Sequence, residues 1–153
     1  MISFRRIQAD DFPLLLDWLQ RPHVKQWWDD GDDTIARVAR NYSSDPETTK
    51  RFIATLDGSE IGYLQFIRLD KCHVGTDQFL ADHDRLGKGL GTQCLRAFMN
   101  LIIAREAPDM ISVDPHPNNR RAIRCYEKCG FVRDAERSSA TVCFMILDCR
   151  TAR

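Results

Sequence analysis

Glycines at positions 87, 89 and 91, separated only by Lys88 and Leu90 and followed by Thr92, constrain the fold of this chain most. Upstream, residues 72–81 carry the residue types of a strand. Downstream, Leu95, Phe98, Leu101 and Ile102 form an apolar stripe at helical spacing. The sequence therefore predicts a strand, a glycine turn and a long helix in succession. Glycine lets a backbone take left-handed dihedrals and bring its N–H groups close to a ligand. A helix start adds unpaired donors and a partial positive charge, so the turn suits a diphosphate. Lys88 supplies a mobile cation. The segment Leu86-Gly87-Lys88-Gly89-Leu90-Gly91-Thr92 does not have the GxxxxGK[ST] spacing of a nucleotide-hydrolase loop. Its third glycine is also misplaced for a dinucleotide fingerprint, and the turn follows several strands rather than the first.

The remaining pattern alternates strands and helices. Residues 2–7 read as an opening strand. Asp10 or Asp11 then caps a helix with the stripe Phe12, Leu15, Leu16 and Leu19. Pro22 ends it, a helical turn is expected over residues 24–28, and a helix over residues 34–42. Strands over 51–56 and 60–68 flank Asp57-Gly58-Ser59, a hairpin connection. A short strand over 110–114 precedes a helix over 118–128 that Gly130 stops. Two strands follow, over 131–134 and 142–148, the second apolar on both faces and so placed inside the sheet. This order predicts one domain over residues 1–153, of α+β or three-layer α/β class, with a mixed sheet.

Composition narrows the function classes. The 153 residues are 43% hydrophobic and carry 22 basic against 22 acidic side chains, which excludes a disordered chain. The balance also predicts no general nucleic-acid partner. The longest apolar run, residues 142–147, is far shorter than the roughly 20 residues a membrane helix needs, so no membrane partner is expected. The first six residues contain no apolar signal core. Of six cysteines, Cys94, Cys125 and Cys143 lie in apolar stripes, which predicts reduced thiols and a cytoplasmic location. Cys125 and Cys129 have only His116 nearby and form no CxxC pair, so no metal is expected.

From Asn119 the chain reads Asn-Arg-Arg-Ala-Ile-Arg-Cys-Tyr-Glu-Lys-Cys-Gly-Phe. Together with the glycine turn, this segment resembles the GCN5-related N-acetyltransferase (GNAT) superfamily. The family's coenzyme loop is written [QR]-x-x-G-x-[GA]; Leu86 stands at the Gln/Arg position, and Gly89 and Gly91 at the glycines. A closer resemblance, over about residues 2–148, is to the aminoglycoside 6′-N-acetyltransferases. It is carried by Asp17-Trp18-Leu19, Trp27-Trp28, Ile61-Gly62-Tyr63, Thr76-Asp77-Gln78-Phe79, the glycine turn, and the stretch from Asp114-Pro115 to Arg124. The resemblance implies a mixed, mostly antiparallel sheet, splayed at its middle and flanked by helices. It also implies acetyl-coenzyme A as cosubstrate and a small cationic amine as acceptor, with a monomer or small homodimer as the working form. The acceptor implied is an aminoglycoside 6′-amine, as in antibiotic resistance. Another amine (a polyamine, a siderophore side chain, a protein amino group) and a non-catalytic coenzyme-binding module are the alternatives.

The same resemblance distributes roles. Tyr126 falls where the family places a general acid near the coenzyme sulfur. Asp77 falls where a base takes the amine proton, and Asp114 where a carboxylate holds the amine; the residue types alone leave those two interchangeable. Phe79 and Leu80 are assigned backbone contacts to the pantetheine arm, and Leu86, Gly87, Lys88, Gly89, Leu90, Gly91, Thr92, Asn119 and Arg124 the rest of the coenzyme, with Arg85 a further cation. The acidic loop Trp27-Trp28-Asp29-Asp30-Gly31-Asp32-Asp33 suits a polycationic sugar: carboxylates recruit it, and indoles stack on it. Trp28, Asp29 and Asp30 are its candidate contacts. Only 13 residues, 64–76, separate Tyr63 from Asp77. That is shorter than in the resistance enzymes, which predicts a more open acceptor site.

Overall fold

The computed structural model describes residues 1–29, 31–43 and 47–151. Seven strands form one mixed sheet among the described residues: β1 (Ile2–Arg6), β2 (Thr49–Leu56), β3 (Ser59–Arg68), β4 (His73–Leu80), β5 (Met110–Val113), β6 (Val132–Arg133) and β7 (Met145–Asp148), in the spatial order β1-β2-β3-β4-β5-β7-β6. The sheet is mostly antiparallel, with β4 and β5 parallel, and helices flank it. The strand expected over 142–148 starts at Met145, and it lies inside the sheet between β5 and β6. By contacts the chain divides into two compact units, Met1–Gln65 with Gln78–Arg85, and Phe66–Asp77 with Leu86–Arg153.

In the first unit, α1 (Phe12–Gln20) packs on α2 (Pro22–Lys25) and α3 (Ile35–Ser43). Phe12, Leu15, Trp18 and Leu19 are its buried face, while Leu16 is only half-buried. Asp11 precedes α1; its carboxylate caps no N–H of that helix but closes the capping box of the single turn Ala9–Asp11 that leads into it. It takes a two-pronged bond from the Arg5 guanidinium at 2.7 and 2.8 Å and another from the Gln8 N–H. That guanidinium holds the Asp11 carboxyl below the usual carboxylate range, against the opposing effect of burial. The β2–β3 turn places Asp57 and Gly58 at φ +50° and +89°, which suits a tight two-residue hairpin.

In the second unit, α4 (Leu90–Glu106) buries Cys94, Leu95, Phe98, Met99 and Ile102. It packs on α5 (Arg120–Lys128), and Arg96 donates to the Lys128 carbonyl at the end of α5. Gly130, at φ +96°, follows α5 as the sequence predicted. Its missing side chain also matters: a Cβ there would sit 3.3 Å from Leu147. No helix of the described residues is long and apolar enough to cross a membrane.

Candidate active site

The parallel β4–β5 ladder has only three pairs, His73 with Met110, Val74 with Ile111 and Gly75 with Ser112. Beyond it lie Thr76 and Asp77 on one strand, Val113 and Asp114 on the other. Asp77 and Asp114 each stand two residues past the last pair, so the register sets them at one level of a fork. Asp77 is half-buried, and Asp114 is exposed just past the end of β5. His73 and Ser112 lock the closed end of this fork through a 2.6 Å hydrogen bond between imidazole Nε2 and hydroxyl. Burial pulls the His73 pKa down, so the ring is neutral at neutral pH.

The glycine turn lies in the same unit. Gly87 and Gly89 take φ of +76° and +82°, and Gly89 is the residue from which α4 springs. A Cβ at either would meet nothing within 4 Å. Backbone conformation, not crowding, therefore demands glycine here, and the space in front of the turn is open. Gly89 brings no side chain to cap α4, which leaves first-turn N–H groups for an anion. Lys88 is exposed beside them. These features fit the diphosphate of a coenzyme.

Asn119 begins α5, and its carboxamide oxygen accepts the Ala122 N–H at 3.3 Å. The side chain assigned to the coenzyme thus also serves as a helix cap. Arg124 is exposed on α5. Tyr126 is 8% exposed, with its ring 5.5 Å from that of Phe131. The turn of α5 that carries it is tied to the glycine turn through Thr92, whose hydroxyl lies 3.5 Å from the Cys125 sulfur. Among the described residues no three His, Cys, Asp or Glu side chains gather to hold a metal.

The first unit holds the other predicted residues. Trp28 is half-buried, with its ring centroid 5.3 Å from Phe79 and 5.8 Å from Tyr63, near edge-on to both. Phe79 stacks on Tyr63 at 5.6 Å, so its ring belongs to the core. Gly62 is fixed by close approach: a Cβ would sit 2.5 Å from the Phe79 carbonyl oxygen. The Leu80 carbonyl accepts from His23 Nε2 at 3.0 Å. Arg85 is partly engaged by Asp82 at 3.3 Å.

The acidic loop differs from its sequence reading. Asp32 is buried and accepts from the Asn41 amide and, at 3.2 Å, from the Tyr42 hydroxyl. Tyr42 in turn accepts from the Trp28 indole N–H at 3.0 Å. Asp33 lies 3.7 Å from Arg37. Asp29 is exposed and accepts, at 3.4 Å, from the Gly31 N–H; Asp30 lies outside the described residues. The Asp32–Tyr42–Trp28 relay escaped the sequence reading because its members are ten and fourteen residues apart. The segment 64–76 is a plain hairpin end, residues 69–72 being its turn. Arg68 clasps that turn, donating to the carbonyls of Asp70 and Lys71 at 3.0 Å and to the Glu106 carboxylate at 2.9 Å.

A family model described as an acetyltransferase (GNAT) domain matches residues 8–139. An aminoglycoside N(6′)-acetyltransferase type 1 of Klebsiella pneumoniae is 37% identical over 149 residues, 86% of this chain and 74% of that protein. A kanamycin resistance protein of Rhizobium radiobacter is 52% identical over 59 residues, 39% of this chain and 55% of that one. Among solved structures, aminoglycoside acetyltransferase AAC(6′)-Ib in complex with coenzyme A and kanamycin superposes with a TM-score of 0.86 at 34% identity, covering 99% of this chain and 96% of that one. Fork, glycine turn and family match agree: the chain belongs to the GNAT acetyltransferase family.

Proposed function

We propose that this chain, acting as one domain, transfers the acetyl group of acetyl-coenzyme A to the 6′-amine of an aminoglycoside. The observation that carries this reading is the fork, with Asp77 and Asp114 at one level beyond a three-pair ladder. The relatives named for aminoglycoside acetylation supply the acceptor class. Bound acetyl-coenzyme A would bring the activated acyl group and a thiolate leaving group. The backbone of residues 86–92 and Lys88 hold its diphosphate, with Arg124 and the Asn119 carboxamide as further contacts. Phe79 offers backbone groups to its pantetheine arm.

An amine arrives protonated and must lose a proton before it can attack. The exposed Asp114 carboxylate holds the ammonium, and the half-buried Asp77 carboxylate takes the proton, directly or through water. The Tyr126 hydroxyl donates a proton to the departing sulfur. Trp28, kept in place through Tyr42 and Asp32, offers an aromatic edge to a sugar, and Asp29 and Asp30 raise the local concentration of a polycation. We place the protein in the cytoplasm, working as a monomer or small homodimer, and the balanced charge favours no general nucleic-acid partner.

The Arg68-clasped turn over 69–72 favours a second reading, in which a more open site takes another amine such as a polyamine. Free-thiol release from acetyl-coenzyme A tests both. Turnover with kanamycin-type aminoglycosides bearing a 6′-amine, and none with 6′-hydroxyl analogues, is the expected result. Turnover only with polyamines or lysine peptides selects the second reading. Coenzyme binding with no turnover on any acceptor overturns both and leaves a binding module.

A further inference from the structure

A pair of thiols backs the glycine turn, and the acetyl-transfer reading gives neither a role. Cys125 lies on α5 and Cys129 is the residue that caps it, both half-buried. The two side chains are within hydrogen-bonding reach of each other. Both also touch Thr92: its hydroxyl is 3.5 Å from the Cys125 sulfur, and its carbonyl accepts from the Cys129 thiol at 3.7 Å. Thr92 is in the first turn of the 17-residue helix α4, whose positive end favours a thiolate. Lys128 and Arg96 add positive charge.

Every group around Cys125 except its burial stabilises the anion. The nearby Cys129 side chain weighs most, the Thr92 hydroxyl next, and together with the two cations they bring its pKa down to about 6. Cys129 is pushed up, chiefly by its contact with Cys125, and keeps its proton, which the Thr92 carbonyl accepts. This asymmetry fits an attacking and a resolving thiol. By contrast, burial drives Cys94 up to about 12, which leaves it inert.

We propose that Cys125 and Cys129 form a dithiol site that reacts with low-molecular-weight disulfides, Cys125 attacking and Cys129 closing an internal disulfide. In the first step the Cys125 thiolate bonds to one sulfur of the small disulfide and expels the other half as a thiolate. In the second, Cys129 gives up its proton and its sulfur bonds to that of Cys125, expelling the second half. The protein loses two electrons, the small disulfide gains them, and one thiol and one thiolate depart.

Helix geometry permits the closure. Side chains four apart on a regular helix have Cβ atoms about 5–6 Å apart, somewhat more than a disulfide accepts. Cα atoms four apart on a helix lie about 6 Å from each other, within the span of a disulfide, so closure requires the two side chains to swing together at the end of α5.

The test exposes the reduced full-length protein to excess oxidised glutathione at pH 6.5, then alkylates the remaining thiols under denaturing conditions and digests with trypsin. Cleavage after Arg124, Lys128 and Arg133 separates peptides 125–128 and 129–133, so an internal disulfide appears as a linked pair. At this pH an attacker of pKa about 6 has on the order of 10²-fold more thiolate than an ordinary thiol, offset about 20-fold by its lower nucleophilicity. The expected result is the linked pair as main product, formed several-fold faster than glutathione adds to the exposed Cys72. Cys129→Ser stops at a glutathione adduct on Cys125, and Cys125→Ser leaves Cys129 unmodified. In urea the preference over Cys72 disappears. A wild-type protein modified at Cys72 while Cys125 and Cys129 remain alkylatable overturns the proposal. So does a glutathione adduct on wild-type Cys125 that never resolves. Neither outcome depends on acetyl transfer, so the two readings fail separately.

Discussion

Two regions of this molecule spend the same side chain in opposite ways. The loop after Trp28 is dense in aspartate, yet Asp32 is buried under Tyr42 and Asn41, and Asp33 lies near Arg37. The β4–β5 fork has only Asp77 and Asp114, and it sets both past the end of a ladder, one half-buried and one exposed. Carboxylate density along a chain therefore does not measure charge presented to a ligand. Position relative to the hydrogen-bonded ladder does. The loop uses its buried acid to fix an indole, whereas the fork sets its two acids at one level past the last pair of the ladder.

The largest effect should come from breaking the fork. Asp77→Asn keeps size and loses the proton acceptor, so kcat should fall about 10²–10⁴-fold, the usual range for a lost general base. Coenzyme binding, followed by calorimetry, should be unchanged. Asp114→Asn should instead raise the KM for the amine more than it lowers kcat. If the two variants exchange these signatures, the base and the amine ligand are exchanged. Tyr126→Phe comes next, lowering kcat by about 10²-fold at the weak end of proton-transfer catalysis. Its ring contact with Phe131 survives the change, so any fall in melting temperature reports only the contacts of the hydroxyl itself.

The fork and the glycine turn were largely legible in sequence, and the reason is physical. The turn is a short-range device, in which three glycines within five residues dictate a backbone; the fork pairs Gly75 with the distant Ser112, and it is read through the family resemblance rather than from local pattern. Gly130 ends α5 by the same local rule. What stayed hidden is which side chains meet, even where they are close in sequence. Asp11 reads as a helix cap, and it closes the turn before α1, but nothing in the pattern shows that Arg5 of β1 grips the same carboxylate. Asp32 reads as one of four solvated acids until α3 folds back and lays Tyr42 and Asn41 over it. Cys125 and Cys129 read as a spaced pair with only His116 nearby, and nothing in that spacing shows that both meet Thr92 of α4. The residues were visible, but their partners were not.

Asp32→Ala separates the two uses of aspartate within the loop itself. It removes an acceptor from the buried Tyr42 hydroxyl and from the exposed Asn41 amide, and losing a buried hydrogen-bond partner costs about 1–3 kcal/mol. For a chain of this length that lowers the melting temperature by roughly 2–4 °C per kcal/mol. Tyr42 also loses the partner that orients it toward the Trp28 N–H. Stability should fall, and the fluorescence of Trp28 in a Trp18→Phe, Trp27→Phe background should report a looser indole. The salt dependence of the amine KM should not change, because a buried, hydrogen-bonded carboxylate contributes little to the outer field. A flattened salt dependence would put Asp32 among the recruiting charges after all.

Asp29→Asn gives the smallest effect and the sharpest contrast. Asp29 is exposed, so its loss should leave the melting temperature unchanged. An exposed carboxylate acts on a polycation only through solvent, over a Debye length of about 10 Å at 0.1 M salt. Removing one such charge should raise the amine KM about twofold at low salt, with kcat unaltered. Near 1 M salt, where that length falls to about 3 Å, variant and wild type should converge. Measuring KM across this range for Asp29→Asn beside Asp32→Ala gives each aspartate its own signature: a salt-dependent KM with constant stability for the first, and a salt-independent loss of stability for the second. A twofold KM change that persists at high salt would mean that Asp29 touches the acceptor directly, and the loop would then be a binding element rather than a source of field.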